Sequence, residues 1–424
     1  MAILFAFAVL IIMVTTVGGW HLGSRHRQQP LTSSHRGDSK AAAANSGTNA
    51  VEKRRRRDNG TAKPDGPSPN TTSIEPLADF DWKATPPMKL RPFKPTYHIT
   101  MALQNSTPSD LILIDSNYLS RVTSRRAIMA THPSTVLGVL PAGHGPVREL
   151  YTYLLGTYLP TRFPRMFEVV PTPSNSSSSS SSTTITTTIF RNKVTNLSAP
   201  LQPPPSDPRE MLRIVGETVE DDMFLLLQDG DRDGGRDEER DEDEDGDGDG
   251  DGAETGAHRA VAFVCCHPAG FDPSEKLGRA LAAIHAPVPG YARIGASMER
   301  FFARLEVGRA VRRVNWGVQT HSRLFAPSGN HAYEGEAVGE EERIDAEAAR
   351  FRVEVQTLTR LPETGAILFS FKTLLYPLAE IKAEGLGPQL ADAIEGLKAG
   401  NAPGMWVYKG AVRWGRAVCE YLRE

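Results

Sequence analysis

Between Asp229 and Asp251 the chain consists only of aspartate, glutamate, glycine and arginine. Like charges at that density repel one another and stay hydrated, so the run cannot enter a core. Any fold must therefore close around it. Residues 228–257, which contain it, and residues 171–208, which carry the Ser176–Ser182 run and Pro203–Pro205, read as disordered insertions at surface loops. Residues 21–78 are rich in Ser, Arg, Gly, Asn and Pro and include the basic run Lys53–Arg57, the pattern of a flexible tether. What remains of the 424 residues is roughly 260–280 foldable positions, enough for one large or two small domains.

Residues 1–20 are expected to form a single transmembrane helix, because Ala2 to Val17 is apolar apart from two threonines. Basic residues follow at Arg25, Arg27 and Arg54 to Arg57, which by the positive-inside rule leaves the rest of the chain facing the cytosol. A cleaved signal peptide is the competing reading. The net charge of -3 sums a basic and an acidic block and gives no support for nucleic-acid binding. Three cysteines, two of them adjacent (Cys265 and Cys266), do not make a disulfide framework.

Hydrophobic spacing predicts helices over Pro146–Leu159, Met211–Leu227 and Ser274–Ile284, the last begun by a serine cap. Val261–Cys266 reads as a buried strand. Phe351–Thr357 alternates, with Phe351, Val353 and Val355 on one face and Arg352, Glu354 and Gln356 on the other. That is the pattern of a half-buried strand. Ile367–Leu375 reads as a second strand, after a turn at Thr364 and Gly365. The order of elements implies an α+β domain with a mainly antiparallel sheet and packed helices. No Gly-x-Ser-x-Gly elbow, phosphate-binding glycine loop or zinc-spaced Cys/His pair is present.

An ordered series of short blocks runs through the foldable parts. They include Tyr97–Leu103, Ile114–Leu119, Val215–Asp222, His267–Phe271, Glu275–Gly278 and Ile284–Tyr291. Arg313–Trp316, Glu354–Pro362, Ala366–Phe369, Tyr376–Leu378 and Tyr408–Gly410 complete the series. Together they resemble the α subunit of haem-dependent oxidative N-demethylases over residues 79–424. The resemblance implies a haem b domain with a PAS-like fold. It also implies oxidative demethylation of a small N-methylated amine with O2, the electrons coming from a separate flavin and iron–sulfur reductase. The chain has no such redox motif of its own. It departs from the family where Val355 and Lys372 replace arginines and Phe271 a tryptophan. Loss of two guanidinium groups bears on contacts to haem propionates or substrate.

On that resemblance His285 is the preferred axial ligand, with the rigid Pro287–Pro289 segment behind it. His267 is its rival, and a Cys265 or Cys266 thiolate a further alternative. His285 would otherwise cap a helix end. Arg313, Arg360 and Lys276 are candidates to hold the propionates, with Trp316 beside the cofactor. Glu354, Gln356 and Tyr291 are candidates to receive a protonated amine, although Glu354 could instead pair with Arg352 or Arg313. A non-catalytic haem-binding sensor is the alternative reading.

Overall fold

The computed structural model describes residues 74–172, 187–230, 256–333 and 344–424. Ten strands are β1 (Gln104–Ser106), β2 (Leu137–Val139), β3 (Phe167–Thr172), β4 (Thr187–Asn192), β5 (Ser198–Gln202), β6 (Asp222–Gln228), β7 (His258–Val264), β8 (Ala310–Gln319), β9 (Arg350–Arg360) and β10 (Ile367–Pro377). Seven form the main sheet in the order β1-β8-β9-β10-β6-β7-β2, and every pairing is antiparallel. With helices packed against the sheet, the domain is α+β, as the sequence implies.

The centre of the sheet is the hairpin of β9 and β10, eleven residues each. Their turn is tied down from outside: the buried Glu149 carboxylate accepts the amides of Glu363 at 2.7 Å and Thr364 at 2.8 Å. Gly365 closes the turn at φ +70°, where a side chain would be strained. Strand alternation then sorts β9 as expected, but the sequence misjudges the second face. Arg352, Glu354 and Gln356 are as buried as Val353 and Val355, because both faces of the sheet are covered. Polar alternation alone cannot tell an inner polar layer from a solvated one.

Other expectations need correction. Residues 187–202 are not a disordered insertion: β3, β4 and β5 make a three-stranded antiparallel sheet with Phe190, Ala199 and Leu201 buried. Threonine and isoleucine favour a pleated surface, a preference masked by the surrounding Ser/Pro composition. Residues 173–186 and 231–255 lie outside the described residues. The predicted helix Met211–Leu227 is two elements. A helix, Pro208–Thr218, is capped by Asp207, whose side chain accepts from Arg209 N at 2.9 Å; β6 follows. A short apolar run inside a buried sheet carries no period that distinguishes it from a helix. Ser274 is no cap either: Asp272 caps a short 3-10 turn, Pro273–Lys276, and the helix proper is Leu281–His285. The expected helix at Pro146–Leu159 stands, running from His144 to Arg162 with a π-turn at Leu154–Tyr158. Residues 1–20 lie outside the described residues, among which no helix is long and apolar enough to cross a membrane.

Candidate functional site

His285 ends the helix Leu281–His285 and is fully buried. Its Nδ1 donates to the Leu281 carbonyl, one turn back, at 2.7 Å. That bond places the proton on Nδ1, so Nε2 carries the lone pair, and Nε2 has no hydrogen-bond partner among the described residues. Burial drives the pKa down to about 3; the Leu281 carbonyl works the other way, and the charges of Lys276 and Arg313 add to the fall. The ring is therefore neutral at pH 7. Tyr291 lies flat against it, centroids 4.8 Å apart and planes 7° from parallel. The loop between them, Ala286–Gly290, forms one wall of a cavity of about 660 Å³, and Ala332, Tyr333, Val407 and Tyr408 form the other. That volume lies in the range of roughly 300–1,000 Å³ typical of cofactor and small-molecule sites.

The histidine rivals are built differently. His267 is buried with an Nε2 that has no partner among the described residues, but three cations, Arg125, Arg121 and Arg352, act on it. The thiol of Cys265 is pushed well up by burial and then by Asp222, and burial raises that of Cys266 to about 12. Both shifts favour the protonated thiol. His331 directs Nδ1 at the Tyr408 carbonyl (2.8 Å) and Nε2 at the Ala269 carbonyl (2.6 Å), so neither nitrogen is available.

Arg313 on β8 and Gln356 on β9 are cross-strand partners, as are Asn315 and Glu354, so all four share one face of the sheet. The Glu354 carboxylate accepts from Gln356 Nε2 at 2.9 Å, Asn315 Nδ2 at 3.3 Å and Arg352 Nε at 3.4 Å. The structure thus gives Glu354 the Arg352 partner that sequence allowed. A small cavity of about 40 Å³ lies beside Glu354, lined also by Asn315, Trp316, Arg352, His331 and Lys409. It has room for about three waters, or one very small ligand. Arg313 is fully buried; burial lowers its pKa to about 10 against the opposing pull of Tyr97 and Glu354. Burial likewise brings Lys276 to about 8, with Glu275 opposing. Trp316 Nε1 is buried with no hydrogen-bond partner among the described residues.

The charges of Lys276 and Arg313 reach His285, and Glu354 acts on Arg313, so these four and Gln356 belong to one buried neighbourhood. Tyr291 lies half-buried against His285, and Trp316, paired with Val353, sits on the opposite face of the sheet while also lining the small cavity. Arg360 is the exception. Its guanidinium donates to the carbonyls of Leu305 (2.6 Å), Phe302 (2.5 Å) and Gly365 (2.5 Å), capping the helix Gly295–Arg304. The departures Val355 and Lys372 are a cross-strand pair on the face opposite Glu354. Lys372 is held there by Asp115 and Glu220, so neither departure removes a group from the Glu354 face.

Lys409 was not singled out from sequence. It approaches β8 beyond Arg312, where β1 pairing ends, and donates to the Trp316 carbonyl and, at 3.5 Å, to Asn315 Oδ1. Burial lowers its pKa to about 7; Glu354 opposes the fall and Arg313 adds to it. The only sequence signal was its place in the Tyr408–Gly410 block.

Residues 102–419 match the family model described as "Haem-dependent oxidative N-demethylase, alpha subunit-like".

Proposed function

This chain belongs to the haem-dependent oxidative N-demethylase α-subunit-like family, and on that premise we propose that it oxidatively demethylates a small N-methylated amine. The overall reaction takes the amine, O2, two electrons and two protons to the demethylated amine, formaldehyde and water. The observation that carries the reading is His285: a neutral, buried imidazole, its tautomer fixed by Leu281, with Nε2 unpartnered and a large cavity beginning at the next residue.

The residues present fit haem b. His285 Nε2 would hold the iron, Tyr291 would keep the ring from turning, and Lys276 and Arg313 would be charge-assisted donors to the propionate carboxylates. Bound haem supplies the oxygen activation and the oxidising equivalents. The chain's own residues position the amine: Glu354 offers a carboxylate fixed by three donors, while Trp316 and Tyr291 supply aromatic faces. Arg360, committed to helix carbonyls, is left out of the cofactor set.

The PAS-like description of the fold belongs to the same proposal, supported by the antiparallel sheet with packed helices. So do a separate reductase and an N-terminal membrane anchor, the latter supported by the apolar run Ala2–Val17. The test is optical and chemical. Purified protein should show a Soret band that shifts or vanishes in H285A. Reduced wild-type protein should release formaldehyde from a dimethylated amine and O2. A Soret band unchanged in H285A overturns the ligand assignment. A stable oxygen complex that releases no formaldehyde from any amine favours a sensor.

A further inference from the structure

The neighbourhood of Glu354 already carries more cations than anions. Arg352 pairs with its carboxylate at 3.4 Å, Arg313 stands on the neighbouring strand, and Lys409 reaches in from the edge of β8. Asn315 joins the last of these to Glu354: its Oδ1 accepts from Lys409 at 3.5 Å while its Nδ2 donates to Glu354 at 3.3 Å. A further ammonium entering the cavity of about 40 Å³ would be a fourth cation for one carboxylate. In a buried site that excess is costly unless one cation gives up its charge. The arginines do not deprotonate readily, whereas a buried lysine does.

We propose that Lys409 is the charge-balancing residue of this site: it loses its proton when a small alkylammonium ion occupies the cavity beside Glu354, so that amine binding is coupled to release of one proton. The inference rests on the reading of Glu354 as the amine's anchor. Geometry supports it first. Among the described residues Lys409 forms no ion pair within 4.0 Å, and its acceptors are a backbone carbonyl and an amide oxygen, both of which an uncharged amine can still serve as donor. Burial also holds its pKa at about 7, within reach of physiological change. The groups facing it are Glu354 and Arg352 on β9, Arg313 on β8, the rings of Trp316 and Tyr97, and His331. Of these, Glu354 is the carboxylate that favours the ammonium form.

The probe is dimethylammonium, which like a lysine ammonium of pKa about 10.4 stays protonated at neutral pH. Calorimetry on the haem-loaded protein, in two buffers of different ionisation enthalpy, counts the protons released. Wild-type affinity should rise about tenfold per pH unit as pH rises toward the Lys409 transition, then level off, with close to one proton released below the transition, about half of one at its midpoint and none well above it. K409Q retains a donor for the Trp316 carbonyl but cannot titrate; it should bind with a flat profile and release none. K409R keeps a permanent charge and should bind weakly at every pH. Proton release persisting in K409Q would mean that the amine itself sheds the proton, and the proposal falls. Wild-type binding by K409R overturns it equally. If wild-type protein binds no dimethylammonium at any pH, the amine-site reading falls and carries this inference with it.

Discussion

Lys372 and Lys409 are both buried, and they are buried in opposite ways. Lys372, on β10, faces Asp115 at 2.7 Å, Glu220 at 2.8 Å and the Leu113 carbonyl at 2.8 Å, one acceptor for each of its three protons. Burial works against its charge, but Glu220 and Asp115 outweigh that and hold its pKa above the ordinary 10.5. Lys409 has neutral acceptors, and there burial wins. The first lysine is neutralised where it sits and has no capacity left to respond. The second keeps an electrostatic deficit that a ligand can alter. Local pairing, more than burial, separates a structural cation from a responsive one.

The largest effect expected from this contrast is on stability. K372M leaves Asp115 and Glu220 buried without their shared cation, a loss of about 3–5 kcal/mol. K409M removes a cation that lacks a carboxylate partner and supplies similar volume, so its cost should stay within about 1.5 kcal/mol. Urea unfolding of the two variants checks the ranking. Equal losses would break the distinction between the two lysines.

The same contrast marks what could be read in the sequence. Alternation located β9 and β10, since period two survives whatever covers the faces. It did not reveal that Arg352, Glu354 and Gln356 are buried, because an inner polar layer and a solvated one have the same pattern. The threonine-rich β4 was hidden by its Ser/Pro surroundings, and β6 by an apolar run without period. At the site, the rigid segment after His285 was visible, but not the Leu281 carbonyl that fixes its tautomer. Lys409 was illegible for a different reason. A lysine beside a glycine reads as a surface residue, and only the closing of Ala411–Arg423 and its preceding turn over the edge of β8 buries it.

A pair of arginines extends the comparison at a smaller scale. Arg313 and Arg360 sit on adjacent strands, yet Arg360 spends its donors on the carbonyls of Leu305, Phe302 and Gly365. R360A should cost about 1.5–3 kcal/mol through the loss of a charged cap, with the Soret band of the loaded protein unchanged. R313Q should instead lower haem retention, measured by dialysis against apomyoglobin. Loss of haem from R360A with R313Q unaffected would reverse the two roles.

The smallest effect is the most specific to Lys409. Its pKa is depressed in the native state, from 10.5 to about 7, chiefly by burial. Below about pH 7 the ammonium is charged in both native and unfolded chains, and the burial penalty applies in full. Between about 7 and 10.5 the native side chain is neutral while the unfolded one keeps its proton, so the unfolded state binds more protons and stability rises with pH. One proton corresponds to at most about 1.4 kcal/mol per pH unit. Asp221 acts in the opposite direction: burial raises its pKa from 3.8 to about 8, with Lys372 opposing, so its contribution is lost as pH rises toward 8. The raw profile therefore mixes the two, and the difference between wild type and K409M isolates Lys409. That difference should grow in favour of the wild type from pH 7 upward and stay level below it. A difference that is flat across pH 7 to 10 would mean Lys409 keeps its proton in the native protein, and it would then be a second Lys372 with its counter-charge yet to be found.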